Sequence, residues 1–418
     1  MSNTKVAYDI AKEKYAEYGV DTDRAIERMK KERISFNAWQ MDDVRGFLRN
    51  EGAMSGGILS TGCYPGAASN AEELRQDVDM AFSMIPGHHK LSLQATQADT
   101  REHIDLDQIE PKHYKSYVDW AKEKNIGLDF NPSCYSHPKS ETGFTLASPD
   151  KTIRDFWIEH CKRSSRIGAY FGEELEIQAV TNLWIPDGYK DMPIDRYMPR
   201  KRLEESLNEI FEHEVDQLKN LDTIESKLFG IGVEAYTVGS NEFYISYAMK
   251  NKRALCIDAG HFHPTEEIAN KISAIMSFTN EMLIHVTRPM RWDSDHVVSF
   301  DESTQEIMNE IVRNSWLGKV HLGTDYFDGS INRVAACVLG MRNTLKALVK
   351  ALLEPAELLK RLELEGDYTA RLVLLEELKT MPFQAVWDYY CEISDVPVGA
   401  KWLRDVKSYE KNILLNRS

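Results

Sequence analysis

The sequence predicts an α/β protein organised as a (β/α)8 barrel, with helices ahead of it and a helical extension behind it. Three observations carry that expectation. Eight short β-rich runs recur along the chain, stretches with helical period separate most of them, and polar residues gather at the carboxyl end of nearly every run. Strands alternating with helices pair in parallel, in a closed barrel or in an open doubly wound sheet. The barrel is preferred, because no GxGxxG or phosphate loop follows the first strand.

Residues 1–32 are charged and helical in pattern and read as an N-terminal helical segment. The barrel is expected over 33–345, on the runs ISFNAWQ (34–40), KLSLQA (90–95), IGLDFNPS (126–133), AVTNLWIP (179–186), DTIESKLFG (222–230), ALCIDAGH (254–261), MLIHVTRP (282–289) and KVHLGTDYF (319–327). Among the segments between them, Leu74, Val78, Ala81, Phe82 and Ile85 recur on one helical face. Ser69 with Glu72 reads as a capping box, and Pro86 with Gly87 as the stop. The first strand is followed by six glycines between positions 46 and 66, which fit either a pliant loop over the barrel mouth or an ordinary surface excursion. Beyond residue 345 the chain runs through Leu-rich amphipathic helices that exceed the needs of a barrel. Residues 346–418 are therefore expected to form an extension that packs on the barrel or on another subunit.

With 418 residues and 42% hydrophobic content, the chain can bury a large core. The 66 acidic against 51 basic residues, a net charge of −15, argue against nucleic acid as the main partner. No segment approaches 18 uninterrupted apolar residues, so no membrane partner is expected and the location reads as cytoplasmic. Cys63, Cys134, Cys161, Cys256, Cys337 and Cys391 are scattered singly without a CxxC pair, which suggests reduced core thiols. A bound metal would then be held by oxygen and imidazole.

The stretch RWDSDHV, residues 291–297, places Asp293 and Asp295 two apart. In extended backbone both face one way and repel unless positive charge lies between them. A lone DxD is more often a solvated acidic loop, but this one has company. Glu225 and Lys227 stand on the fifth run, Asp258 and His261 close the sixth, His285 lies on the seventh and Asp325 ends the eighth. Five carboxylates converging on one barrel mouth would raise one another's pKa values steeply, and one lysine is too little to offset them. Two divalent cations would balance the charge. Oxygen-rich ligation with some imidazole favours Mn²⁺, Mg²⁺ or Co²⁺ over structural zinc, with Zn²⁺ left open at one site. The expected division puts Glu225, Asp258, His285 and Asp325 around one ion, and His261, Asp293 and Asp295 around the other, with Asp258 as a candidate bridge. His263 is a rival ligand, and His296 reads as lying outside the ligand set.

The order ESK, DAGHFHP, IHV, RWDSDH and LGTDYFD resembles the metal-site pattern of the xylose-isomerase-like barrel superfamily. More closely, IGLDFNPSCYSHP, NLWIPDGYKD, ESKLFGIGVEAYTVGSNEFY, DAGHFHPTE and RPMRWDSDHVV resemble the bacterial L-rhamnose isomerase family, over nearly the whole chain. That resemblance implies a (β/α)8 barrel in a homotetramer and Mn²⁺-assisted interconversion of L-rhamnose and L-rhamnulose in rhamnose catabolism. It also implies that His261, Asp293 and Asp295 hold the catalytic ion, that Glu225, Asp258, His285 and Asp325 hold a more structural one, and that Lys227 stands near O1 of the sugar. One position departs: the family pattern has a histidine toward the ring oxygen where this chain has Gln94, and an amide can hydrogen-bond there but cannot exchange a proton near neutral pH.

Moving a carbonyl from C1 to C2 builds negative charge on O1 or O2, which a divalent ion and the Lys227 ammonium would stabilise. Without an unligated carboxylate to act as base, a hydride shift is expected over an enediol, with Asp325 or Asp293 as helpers. Trp39, Trp184 and Trp292 are candidate apolar faces for the sugar, Trp184 balanced between site and core. Asn37, Asn182 and Asp187 are weaker candidates for hydroxyl contacts. The rivals are an isomerase preferring another aldose, such as L-mannose, L-lyxose or D-allose, a metal-dependent hydrolase on the same barrel, which the acidic charge disfavours, and a binding or scaffold role.

Overall fold

The computed structural model describes residues 2–48, 62–212, 215–227, 235–287 and 295–417. Eight parallel strands close into a barrel in sequential order: β1 (Ile34–Asn37), β2 (Lys90–Gln94), β3 (Gly127–Asn131), β4 (Ala179–Trp184), β5 (Asn220–Glu225), β6 (Ala254–Asp258), β7 (Met282–Val286) and β8 (Val320–Thr324). Closure is made by β1, whose Ser35 is in register with Lys90 of β2 on one side and Gly323 of β8 on the other. All eight predicted runs are strands, but each stops short of its predicted end. Trp39 therefore lies in a helical turn, Trp39–Asp42, and His261 in the 3-10 turn Ala259–His261.

The strands are buried on both faces, as a parallel barrel wrapped by helices requires. Their side chains alternate. On β6, Leu255 and Ile257 join the main core between barrel and helices, while Ala254 and Cys256 fill the lumen with Val180, Leu221 and Leu283. Asp258 continues the inward row above Cys256, Glu225 continues the row of Leu221, and His285 that of Leu283. The period of two thus delivers the acids and the imidazole to the carboxyl-terminal mouth. Deeper in the barrel, Lys90 donates to Asp129 at 2.8 Å and to the Gln178 carbonyl at 2.7 Å, so that buried ammonium is paired.

Eight helices follow the eight strands, from Ala71–Phe82 to Arg333–Leu352, and the last of them runs through residue 345. In the first, Leu74, Val78 and Ala81 are buried as predicted and Phe82 is half-buried, while Ile85 is buried just beyond the helix end. Its cap sits one residue later than Ser69 with Glu72. The Asn70 side chain accepts from the Glu73 amide, and the Glu73 carboxylate reaches back to the amide and hydroxyl of Ser69. The N-terminal helices Asn3–Ala16 and Thr22–Met29 meet the C-terminal ones, with Tyr8 stacked on Tyr389 at 4.1 Å between ring centres. Five of the six cysteines are buried; Cys63 is exposed, and Cys134 and Cys161 bring their sulfurs to 3.8 Å. No helix among the described residues is long and apolar enough to cross a membrane.

Candidate active site

At the barrel mouth, Glu225 from β5, Asp258 from β6, His285 from β7 and Asp325 just after β8 bring one ligand atom each within 4.8 Å of the others. His285 Nδ1 lies 3.4 Å from Glu225 Oε2, 3.7 Å from Asp258 Oδ2 and 3.3 Å from Asp325 Oδ2. His285 Nδ1 and Asp258 Oδ2 are buried and make no hydrogen bond among the described residues. Four donors aimed at one point, two of them otherwise orphaned, are what a cation satisfies and what a hydrogen-bond network would not leave behind. Gly323 of β8 makes room for the imidazole, since a Cβ there would stand 3.2 Å from its Cδ2. The thiol of Cys256, one rung below Asp258, also lies within 4.8 Å of Glu225 and His285.

The charge of this cluster is uneven. Burial pushes Asp258 up to about 8, against the pull of His261 and with Asp325 and Glu225 adding to the rise. Burial also works against ionisation of Glu225, but His285, His261 and the Asn182 amide outweigh it and hold that carboxyl below its ordinary value. Asn182 of β4 donates from Nδ2 to Glu225 Oε2, and its own Oδ1 accepts from Thr223 at 2.8 Å. The Asn182 amide is thereby fixed against Glu225.

His261 donates from Nδ1 to the Ser226 carbonyl at 2.6 Å, which makes Nε2 the acceptor nitrogen of the ring. Asp295, with φ at 43°, lines the same cavity as His261 and His285. Asp293 and Trp292 lie outside the described residues. His263 is exposed in a turn, bonded through Nδ1 to Thr265 at 2.6 Å, and His296 is exposed as well. Lys227, two residues past Glu225, is buried at the cavity wall with its ammonium over the Trp184 ring.

Much of the remaining cavity wall is apolar. Trp39, Val44 and Tyr135 pack together with Trp184 and Phe327 against them, and Gln94 and Asn131 complete that side. Trp39 donates from Nε1 to Asp325 at 3.0 Å, which ties the apolar wall to the acid cluster. Gln94 Oε1, the Tyr135 hydroxyl and Trp184 Nε1 are buried without a hydrogen-bond partner among the described residues, positions that a ligand's hydroxyls could fill. Two weaker candidates belong to the scaffold instead. Asn37 bonds the Tyr326 carbonyl and Thr324 across the β1–β8 seam, and Asp187 accepts from the amides of Thr145 and Ala147 and from the Thr145 hydroxyl. Val44, Tyr135 and Phe327 escaped sequence reasoning because apolar residues in loops carry no periodic signal. The position of Phe327 two residues beyond Asp325 was the one available hint.

Fold and site together define a barrel enzyme with a candidate metal centre at its carboxyl-terminal mouth. A family model described as L-rhamnose isomerase (RhaA) matches residues 2–417. The L-rhamnose isomerase of Listeria innocua is 55% identical over 410 residues, covering 98% of either chain, and that of Salmonella agona 54% identical over 412 residues, covering 99% of this chain and 98% of its own. Among solved structures, an L-ribulose 3-epimerase is similar with a TM-score of 0.48 at 10% identity, over 77% of this chain and 95% of its own. The chain belongs to the L-rhamnose isomerase family, and with it to the aldose–ketose isomerases.

Proposed function

We propose that the chain interconverts L-rhamnose and L-rhamnulose in rhamnose catabolism, using two divalent ions per subunit, Mn²⁺ foremost, with Co²⁺, Mg²⁺ or Zn²⁺ admissible at one site. The observation that carries this reading is the convergence of Glu225, Asp258, His285 and Asp325 beside Lys227, facing an apolar wall. Those four residues would hold one ion. His261 and Asp295, with Asp293, would hold the other. When bound, an ion supplies Lewis acidity to the sugar's first two oxygens.

The remaining steps belong to side chains. Lys227 donates a proton of its ammonium toward O1 as that oxygen gains charge. Trp39, Trp184 and Tyr135 exclude water and accept the C–H face and the methyl end of a 6-deoxy sugar, while Gln94 offers its amide to the ring oxygen or a hydroxyl. No histidine stands at position 94 to shuttle a proton in ring opening. Hydrogen passes directly between C1 and C2, with Asp325 and Asp293 assisting the proton that moves between O1 and O2. The C-terminal helices from residue 346 are assigned to contacts within a homotetramer, and the location to the cytoplasm.

The deciding experiment incubates chelator-treated protein with L-rhamnose, with and without Mn²⁺, and follows ketose. Ketose forming only with the metal, and carrying no solvent deuterium at C1 when the reaction is run in D₂O, is the expected result. Substantial label at C1 would replace the hydride shift by an enediol, and ketose formed at an undiminished rate after complete demetallation would remove the metal from the reading.

A further inference from the structure

We propose that the buried ion pair between Arg333 and Asp43 is a positioning device for the substrate cavity: it holds Val44 in a left-handed backbone conformation and so sets the apolar wall. The inference deepens the proposed function and takes from it the sugar and the metal used in the kinetic test.

Asp43 and Val44 follow the helical turn Trp39–Asp42 with φ of 56° and 61°. Two consecutive left-handed residues without a glycine are uncommon, and a β-branched valine is the least suited to the second position, because its Cβ crowds the neighbouring backbone. Strain of this kind persists only where the surroundings over-determine it. Here they do. The carboxylate of Asp43 is gripped in two-pronged fashion by Arg333, with Nε donating to Oδ1 at 2.7 Å and Nη2 to Oδ2 at 2.6 Å. Both partners are buried, at 4% and 2% exposure, so the pair is shielded from solvent and salt. The same guanidinium donates from Nη1 to the carbonyls of Tyr64 at 2.5 Å and Pro65 at 3.1 Å. One side chain, at the start of the helix after β8, thus joins both flanks of the connection that follows β1.

Further contacts fix the turn around it. The Val44 amide donates to the Trp39 carbonyl at 3.1 Å, and the Asp42 carboxylate accepts from the Gly46 amide at 2.8 Å. The consequence lies at the cavity. Val44 is 5% exposed, packs with Trp39 and Tyr135 and lines the apolar part of the cavity wall. Returning it to an ordinary φ would swing its side chain out of that wall. By contrast, the second cation on Asp43, Arg45 at 3.4 Å, is 65% exposed and adds little to the hold.

The test uses the full-length, Mn²⁺-loaded protein and two readouts. The first needs no substrate. Glycine adopts positive φ freely, so Val44→Gly melts no lower than Val44→Ala, the reverse of the usual order. In an Asp43→Asn background, where the residue is no longer forced, the usual order returns. The second is kinetic: Asp43→Asn raises KM for L-rhamnose about tenfold with kcat within about twofold, and adds little further to the KM of Val44→Gly. A matched control, Glu354→Gln, breaks the two-pronged pair with Arg313 on the outer helices and lowers only the melting temperature. Should Asp43→Asn fail to fold, Arg333→Lys keeps the charge, loses the fork and carries the same comparison. The proposal is overturned if Val44→Gly melts well below Val44→Ala in the parent. It is equally overturned if Asp43→Asn lowers the melting temperature while KM stays at the parent's value. A parent that melts as expected yet leaves L-rhamnose untouched would instead count against the functional reading.

Discussion

The ammonium of Lys227 stands 4.4 Å from the ring centre of Trp184, which in turn meets the edge of Tyr135 at 5.8 Å. A cation over an indole face is held in direction without being neutralised, and when desolvated the contact is worth about 2 kcal/mol. Trp184 therefore aims Lys227 as well as forming part of the wall. Steady-state kinetics with L-rhamnose check this. Trp184→Phe, which keeps a weaker aromatic face, is expected to lower kcat/KM by a few-fold, and Trp184→Leu by about thirtyfold, with kcat carrying most of the loss. Lys227→Met removes the donor itself and should cost on the order of a hundredfold or more in kcat. Equal losses for Phe and Leu would show that Trp184 is packing alone.

The orphaned donors of the acid cluster predict that the ion contributes to folding as well as to chemistry. The carboxylates aimed at the site repel one another when the ion is gone, and a ligand bound only to the native state stabilises it by about 3 kcal/mol at a hundredfold excess over Kd. Chelation should lower the melting temperature, and Mn²⁺ should restore it. In Glu225→Gln, measured with the same chelator series and by metal content per subunit, the restoring effect should shrink sharply. A melting curve indifferent to chelator in the parent would contradict the metal site outright.

Asn182 touches Glu225 and Thr223, so its effect should pass through the ion. Residues that orient a ligand typically govern about 10- to 100-fold in metal affinity. For Asn182→Ala, titration calorimetry with Mn²⁺ is expected to show a loss of that size, while saturating metal recovers most of kcat. If saturating metal recovers nothing, Asn182 contacts the sugar directly, as its place on the cavity wall would also permit.

The barrel was legible in the sequence because its signal is physical and repeated: β-rich runs of six to nine residues, helical period between them, and polar termini. Glu225, Asp258, His285 and Asp325 were legible for the same reason, each being the last inward rung of a strand or the residue just beyond it. What eluded the sequence was whatever depends on chain reversal or on distant partners. Ser69 was a sound capping residue, but its neighbour Asn70 was closer to the turn the helix needed. Asn37 and Asp187 read as polar groups awaiting a sugar, whereas folding supplies their partners from Tyr326, Thr145 and Ala147. Arg333 gave no sign of its role, because Asp43 lies 290 positions away.

His160 offers a test of the interior that does not involve the site. It lies on the helix Lys151–Leu175, fully buried; Nδ1 donates to the Leu106 carbonyl at 2.9 Å, and Nε2 has no partner among the described residues. Burial brings its pKa down to about 4, against an ordinary value of 6.5, with the Leu106 contact opposing only in part. The unfolded chain therefore takes up a proton that the folded chain refuses. The stability conferred by keeping this ring neutral is fully present above about pH 6.5 and is lost as pH falls toward 4, a change of about 3 kcal/mol. Asp187 and Asp222, raised by burial to about 6, contribute with the opposite sign over an overlapping range, so the parent's own curve mixes both effects. The comparison with His160→Asn separates them. The melting temperature of the parent should exceed that of the variant at pH 7.5, and the gap should narrow steadily down to pH 4.5. A gap independent of pH would mean that His160 is protonated alike in the folded and unfolded chain, and that its burial exerts no such pull.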